Sequence, residues 1–168
     1  MPLAVGQTTG FNLKTATMFI TIRELYTSIY EYQLQQIVEQ NNDIALTSIA
    51  TAEQEVRSYL TSNNLKHWQD GRPRYDVDLI FSMQGANRNP LLMQHVKTVA
   101  VWYVCQLSNP DIIYEHIKER YDRAIDYLNR ISKGTATLNL PVLIDNDTNP
   151  ATQKQPFRFG SRSKFNHE

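Results

Sequence analysis

Residues 112–134, IIYEHIKERYDRAIDYLNRISKG, run straight into residues 135–143, TATLNLPVL, and the change of pattern between the two decides the fold. At a hundred degrees per residue, Ile113, Ile117, Tyr121, Ala124, Leu128 and Ile131 share one narrow arc. The opposite arc is charged, with Glu115, Lys118, Glu119, Asp122, Arg123, Asp126 and Arg130. Glu119 precedes Arg123, and Asp126 precedes Arg130, by four residues, the spacing and order that support an isolated helix by roughly 0.2–0.5 kcal/mol per pair. Pro110 and Asp111 suit the start of this helix, Lys133 its negative end, and Gly134 a left-handed stop. Arg120 departs from the scheme: its angle puts a cation at the edge of the apolar stripe. There it either snorkels to water or pairs with an acid across an interface.

Upstream, Leu91–Leu107 reads LLMQHVKTVAVWYVCQL. Apolar side chains cover more than half of its circumference, which predicts a central helix with neighbours on several sides. Asn89 and Pro90 suit its start. His95 and Lys97 interrupt the run, which falls short of the about 20 apolar residues a bilayer span needs, so no membrane partner is expected. Ile49, Ala52, Val56, Tyr59 and Leu60 recur at helical spacing, predicting a helix from about Ile44 to Leu60 with Asp43 as its cap. Thr21-Ile22-Arg23-Glu24 offers a capping box for a helix through Leu25 and Ile29 that breaks and resumes around Glu31 to Glu39.

The span from Asn63 to Asn89 is long for a connection between helices. Asp70-Gly71 marks a turn, Arg72 and Arg74 flank Pro73, and Tyr75, Val77, Leu79 and Phe81 alternate with other residues as in a short strand. A loop or hairpin projecting from the body is expected, with Arg72, Arg74 and Tyr75 as its contact residues. Residues 1–17 and 144–168 lack helical periodicity and are rich in Thr, Asn, Gln, Gly and Pro. The fold expected is therefore mainly α: a small bundle of about four helices over residues 18–143, a long loop between the second and third, and extended arms at 1–17 and 144–168.

Composition narrows the function. Seventeen basic residues balance seventeen acidic ones in 168, which excludes the overall basic excess of a general nucleic-acid binder. Cys105 is the single cysteine, so no disulfide can close within the chain, and a buried thiol in a reducing compartment is expected. The first 17 residues lack the basic and apolar regions of a secretory signal. His67, His95, His116 and His167 show no zinc-helix spacing, and there is no glycine-rich phosphate loop or nucleophile elbow. Asp76-Val77-Asp78 could be a metal-binding pair, but alternation would put both acids on the solvated face of a strand. No catalysis and no cofactor are expected.

Three stretches together resemble the head-tail connector, or neck adaptor, proteins of tailed bacteriophages. Met18-Phe19-Ile20-Thr21-Ile22-Arg23-Glu24-Leu25 is similar to their opening, a short strand leading into a first helix. Ala52 to Leu60 ends in a tyrosine-leucine pair before a long loop. Tyr121 to Leu128, then Ile131-Ser132-Lys133-Gly134, Leu138 and Leu140, resemble the helix, Lys-Gly stop and leucine-rich exit of those families. The resemblance implies a virion protein, assembled in the host cytoplasm, that forms a ring of typically twelve copies at the head-tail interface. Such a ring binds the portal and other neck or tail proteins and extends the DNA channel, touching DNA only non-specifically.

The arms suit such a ring, whose subunits must reach their neighbours through head-to-tail contacts. In residues 151–168, Lys154, Arg158, Arg162 and Lys164 face one acid, Glu168, and Phe157, Arg158, Phe159, Arg162, Lys164 and Phe165 alternate aromatic with basic character. Three readings of this tail stand open: aromatic anchors docking on the portal, cations facing channel DNA, or a solubilising end. The alternative for the whole chain is a small helical DNA-packaging factor like a terminase small subunit, which needs a basic recognition helix.

Overall fold

The computed structural model describes residues 18–39, 41–65, 71–107 and 114–144. Among these, six helices follow one another: α1 Ile22–Leu25, α2 Glu31–Val38, α3 Asn42–Asn64, α4 Val77–Ser82, α5 Pro90–Leu107 and α6 Tyr114–Ser132, with one 3-10 turn at Gly85–Asn87. The architecture is a small, mainly α bundle, as the periodicity predicted.

Helices α3, α5 and α6 pack on one another and form the body. The end of α3 meets the end of α6 through the Ser62–Ser132 hydroxyl pair at 2.9 Å. The residue before α5, Asn89, donates to the Asn139 carbonyl just beyond α6. Helix α5 therefore runs opposite to its two companions. It is the central element, burying Leu92, Val96, Val99, Ala100, Val101, Trp102, Val104 and Cys105. Its start is capped as expected, with the Asn89 side chain accepting from the Leu91 and Leu92 N–H groups at 3.0 Å. Helix α3 turns Ala45, Ser48, Ile49, Ala52, Val56 and Leu60 inward. The small residues in that stripe allow close helix approach. Ser48 satisfies its buried hydroxyl on the Ile44 carbonyl at 2.8 Å.

Local signals read from the sequence recur with some corrections. Thr21 and Glu24 form the capping box of α1, and the break between α1 and α2 falls at residues 26–30. The cap of α3 is Asn41, whose side chain accepts from the Asp43 N–H, so the helix starts earlier than an Asp43 cap would have it. It also continues past Leu60 to Asn64. Met18–Ile20 is no paired strand: the Phe19 N–H donates to the Glu53 side chain, and Phe19 and Ile20 are fully buried. The predicted start of α6 at Pro110 and Asp111 lies outside the described residues.

The largest difference is at residues 75–82. In place of a strand-like segment, α4 begins at Val77, capped by Asp76, which accepts from the Leu79 N–H at 3.0 Å. Val77, Ile80 and Phe81 face the body at i, i+3 and i+4 while Leu79 is exposed, a helical pattern that alternation had disguised. Only Tyr75 keeps a β contact, an isolated antiparallel bridge to Val142. Nor does the described part of this connection project: it lies along the body, held by the asparagine pair that ends α3. Asn63 donates to the Pro73 carbonyl at 2.9 Å, and the Asn64 side chain exchanges two bonds with the Tyr75 backbone at 2.7 and 2.8 Å.

Candidate functional site

At the end of α6, Gly134 takes φ +75°, and the N–H groups of Gly134, Thr135 and Ala136 close on the Ile131 and Arg130 carbonyls. The carbonyls of Ser132 and Lys133 are left at the negative end of the helix. Arg72 supplies the cation there, its guanidinium donating to both carbonyls at 2.8 Å. A Cβ on residue 134 would lie 2.5 Å from the Arg72 guanidinium carbon, so a side chain there would displace the guanidinium as well as strain the dihedral angle. Arg72 therefore acts within the chain as a helix cap. Tyr75, expected at a contact loop, is 1% exposed, and its hydroxyl accepts from the Leu138 N–H at 3.0 Å. Arg74 is half-buried, and its carbonyl accepts from the Leu143 N–H at 2.8 Å. Burying the Tyr75 ring while its hydroxyl is hydrogen-bonded within the chain holds this segment against the body.

This docking steers the chain that leaves α6. Leu138 and Leu140 are buried, and Asp76 donates its N–H to the Pro141 carbonyl. Beyond them Val142, Leu143 and Ile144 emerge 50%, 40% and 78% exposed. Three consecutive apolar residues are thereby delivered to the surface on a fixed stem.

Three polar networks that sequence reasoning missed hold the body together. Arg88 bonds the Glu24 carboxylate and the Phe19 carbonyl, tying the segment before α1 to the segment before α5. That guanidinium holds Glu24 well below the usual carboxylate range, at about 2. Arg57 bridges to Asp78 at 3.0 Å and lies over the Phe81 ring at 4.5 Å, and Phe81 packs on Phe19. Asp78 thus serves an ion pair and Asp76 a cap. Glu55 accepts the hydroxyls of Tyr103 and Tyr121, one per oxygen at 3.0 Å, joining α3, α5 and α6 at one point. Burial and then the carboxylate bond push Tyr103 up to about 12, and Tyr121 upward as well, so both phenols stay donors. Burial raises Glu53 despite its bond from Phe19. No periodicity announces such pairs, because the partners lie 21 to 69 residues apart.

Arg120 is exposed on α6, at the rim of an open groove of about 700 Å3 between the 26–30 turn, α5 and α6. Tyr30, His95, His116, Ile117 and Arg123 also line it. His95 stacks on Tyr127 at 4.9 Å, and burial lowers its pKa. Tyr30, beside the groove, is 70% exposed and stacks on Tyr32. The expected pairs Glu119–Arg123 and Asp126–Arg130 are present at 3.4 and 2.7 Å.

Among the described residues no group of three or more His, Cys, Asp or Glu side chains could hold a metal ion, and no helix is long and apolar enough to cross a membrane. Cys105 is buried, and burial pushes its thiol up to about 11. The arms, with Phe157, Arg158, Phe159, Arg162, Lys164 and Phe165, lie outside the described residues.

No curated protein and no solved structure matches this chain. A family model does match, that of Bacteriophage Mu, Gp36, over residues 19–158. The match opens at Phe19, spans every described helix and the exit segment, and reaches Phe157 and Arg158 in the tail. This is a bacteriophage protein, and the chain belongs to the Bacteriophage Mu Gp36 family.

Proposed function

We infer that this chain is a structural, non-catalytic protein of the virion: a head-tail connector that forms a ring at the head-tail interface, joins the portal to tail components and lines an extension of the DNA channel. The observation that carries this reading is the exit from α6. A rigid body, capped by Arg72 and stemmed by Leu138 and Leu140, ends in an exposed apolar segment from which the tail continues. A protomer built to bind neighbours needs such a pairing of firm anchor and outward chain. Membership of a bacteriophage family and the resemblance of the α6 exit to neck proteins point the same way. The DNA-packaging alternative gains no basic recognition helix among the described residues: Lys97, the one lysine of α5, is buried on the Thr27 hydroxyl at 3.0 Å, and Lys118, Arg123 and Arg130 of α6 pair with acids of the same helix.

In this reading residues 151–168 dock on the portal through Phe157, Phe159 and Phe165, and channel DNA meets the ring only by non-specific contacts. A reconstruction of the virion neck tests it, with symmetric copies expected between portal and tail. Absence of the protein from mature particles overturns it. Deleting residues 151–168 tests the tail alone: filled heads that fail to join tails are expected, and normal infectivity refutes the docking role.

A further inference from the structure

The groove beside Arg120 and the exit segment beyond Leu140 complement each other. Arg120, Arg123, His95 and His116 line the groove with no carboxylate among its lining residues, while Ile29, Val101, Ile117 and Ala124 give it apolar walls. The His95 Nε2 is buried without a partner among the described residues. Beyond the end of α6, the exposed Val142-Leu143-Ile144 continues in sequence as Asp145-Asn146-Asp147, an apolar run followed by two acids. The apolar part matches the walls, and the acids match the guanidiniums.

The segment leaves the body away from the two arginines of the groove. Val142 is bridged to Tyr75 and Leu143 is bonded to Arg74, both near the end of α6, whereas Arg120 and Arg123 lie in the middle of that helix. From Ile117 to Ser132 the helix alone spans about 22 Å at 1.5 Å per residue. Two different patches on one chain that fit each other make a heterologous contact, which a ring closes by rotation.

We propose that the segment Val142–Asp147 of one copy seats in the Arg120 groove of the next copy, with Leu143 and Ile144 against Ile29, Val101 and Ile117, and Asp145 and Asp147 on Arg120 and Arg123. The contact rests on the ring-forming reading and gives that ring its subunit joint. Exposed Arg120 becomes the cation of an intersubunit ion pair, and Arg123 exchanges its weak 3.4 Å partner Glu119 for a second one.

Two full-length variants, Gln33→Cys, at a residue of α2 that lines the groove, and Ile144→Cys on the segment, test it when co-produced during infection and oxidised both in isolated particles and as concentrated purified protein. Buried Cys105 leaves the new thiols as the reactive pair. A disulfide between the two variants is expected. Adding Arg120→Glu and Arg123→Glu to the groove variant should reduce its yield about tenfold or more, and adding Asp145→Lys and Asp147→Lys to its partner should restore it. Symmetric rings in the neck with no crosslink, or a crosslink insensitive to both charge reversals, overturn the joint and leave the connector reading standing. A crosslink in purified protein that is absent from particles keeps the joint and removes the neck reading. A disulfide formed within a single chain carrying both cysteines, and never between chains, overturns the joint by showing that the segment folds onto its own groove.

Discussion

Replacing Gly134 tests the α6 exit most directly. Alanine at φ +75° carries the left-handed penalty of an L residue, about 1 kcal/mol. Its Cβ would also fall 2.5 Å from the Arg72 guanidinium carbon. The guanidinium is the free end of a flexible side chain and can yield, so the further cost is the loss of its bonds to the Ser132 and Lys133 carbonyls. Hydrogen bonds to a charged group contribute about 1.5–3 kcal/mol each when buried; Lys133 is exposed, so about 1–2 kcal/mol for the pair is a screened figure. Gly134→Ala should therefore cost about 2–3 kcal/mol, read as a lowered urea midpoint at unchanged slope. Gly134→Asn, which tolerates the left-handed region but also carries a Cβ, should recover only part of that loss. In an Arg72→Ala background, Gly134→Ala should cost only about 1 kcal/mol, because the bonds it would displace are already gone. The two substitutions must then be non-additive by about 1–2 kcal/mol. Additive costs, or full recovery with asparagine, would refute the close-approach reasoning.

Glu24→Gln should cost about 2 kcal/mol at pH 7, below the ceiling of about 3 kcal/mol that the gap between about 2 and 4.5 implies, since its side chain is 28% exposed. The folded pKa lies below the unfolded one, so this stability is present above about pH 4.5 and fades as pH falls towards 2; thermal unfolding of both forms from pH 7 to 2.5 should show the difference shrink. Asn89→Ala removes the α5 cap and the Asn139 anchor together and should cost about 1–2 kcal/mol by chemical denaturation. Cys105, with its thiol pushed up to about 11, should resist a thiol reagent at pH 8 in the native protein and react at once in denaturant; rapid native labelling would place it nearer the surface than the fold allows.

Much of the bundle was legible because its cues are local. The α6 stripe, the Gly134 stop, the Asn89 cap and the Thr21–Glu24 box each rest on residues within a few positions of one another. Residues 75–82 misled because Val77, Leu79 and Phe81 fit a period of two while Val77, Ile80 and Phe81 fit a helix. The sign that decides between them was present: Asp76 stands three residues before Leu79 as an N-cap. Arg72 read as a loop contact because it follows the Asp70-Gly71 turn, and its target on α6, 60 residues on, carries no local sign.

By itself, then, the order of residues determined the helical class, the central place of α5, the end of α6 and the balanced charge that argues against a general DNA binder, all set by spacing and side-chain preference along one segment. Only the packed chain decided which long-range partners meet: Arg72 on α6, Arg88 on Glu24, two tyrosines on Glu55, and a basic groove lined by α5 and α6. Those pairings depend on how elements distant in sequence are brought together, and hydrogen bonds and ion pairs of that kind carry no period to be read in advance.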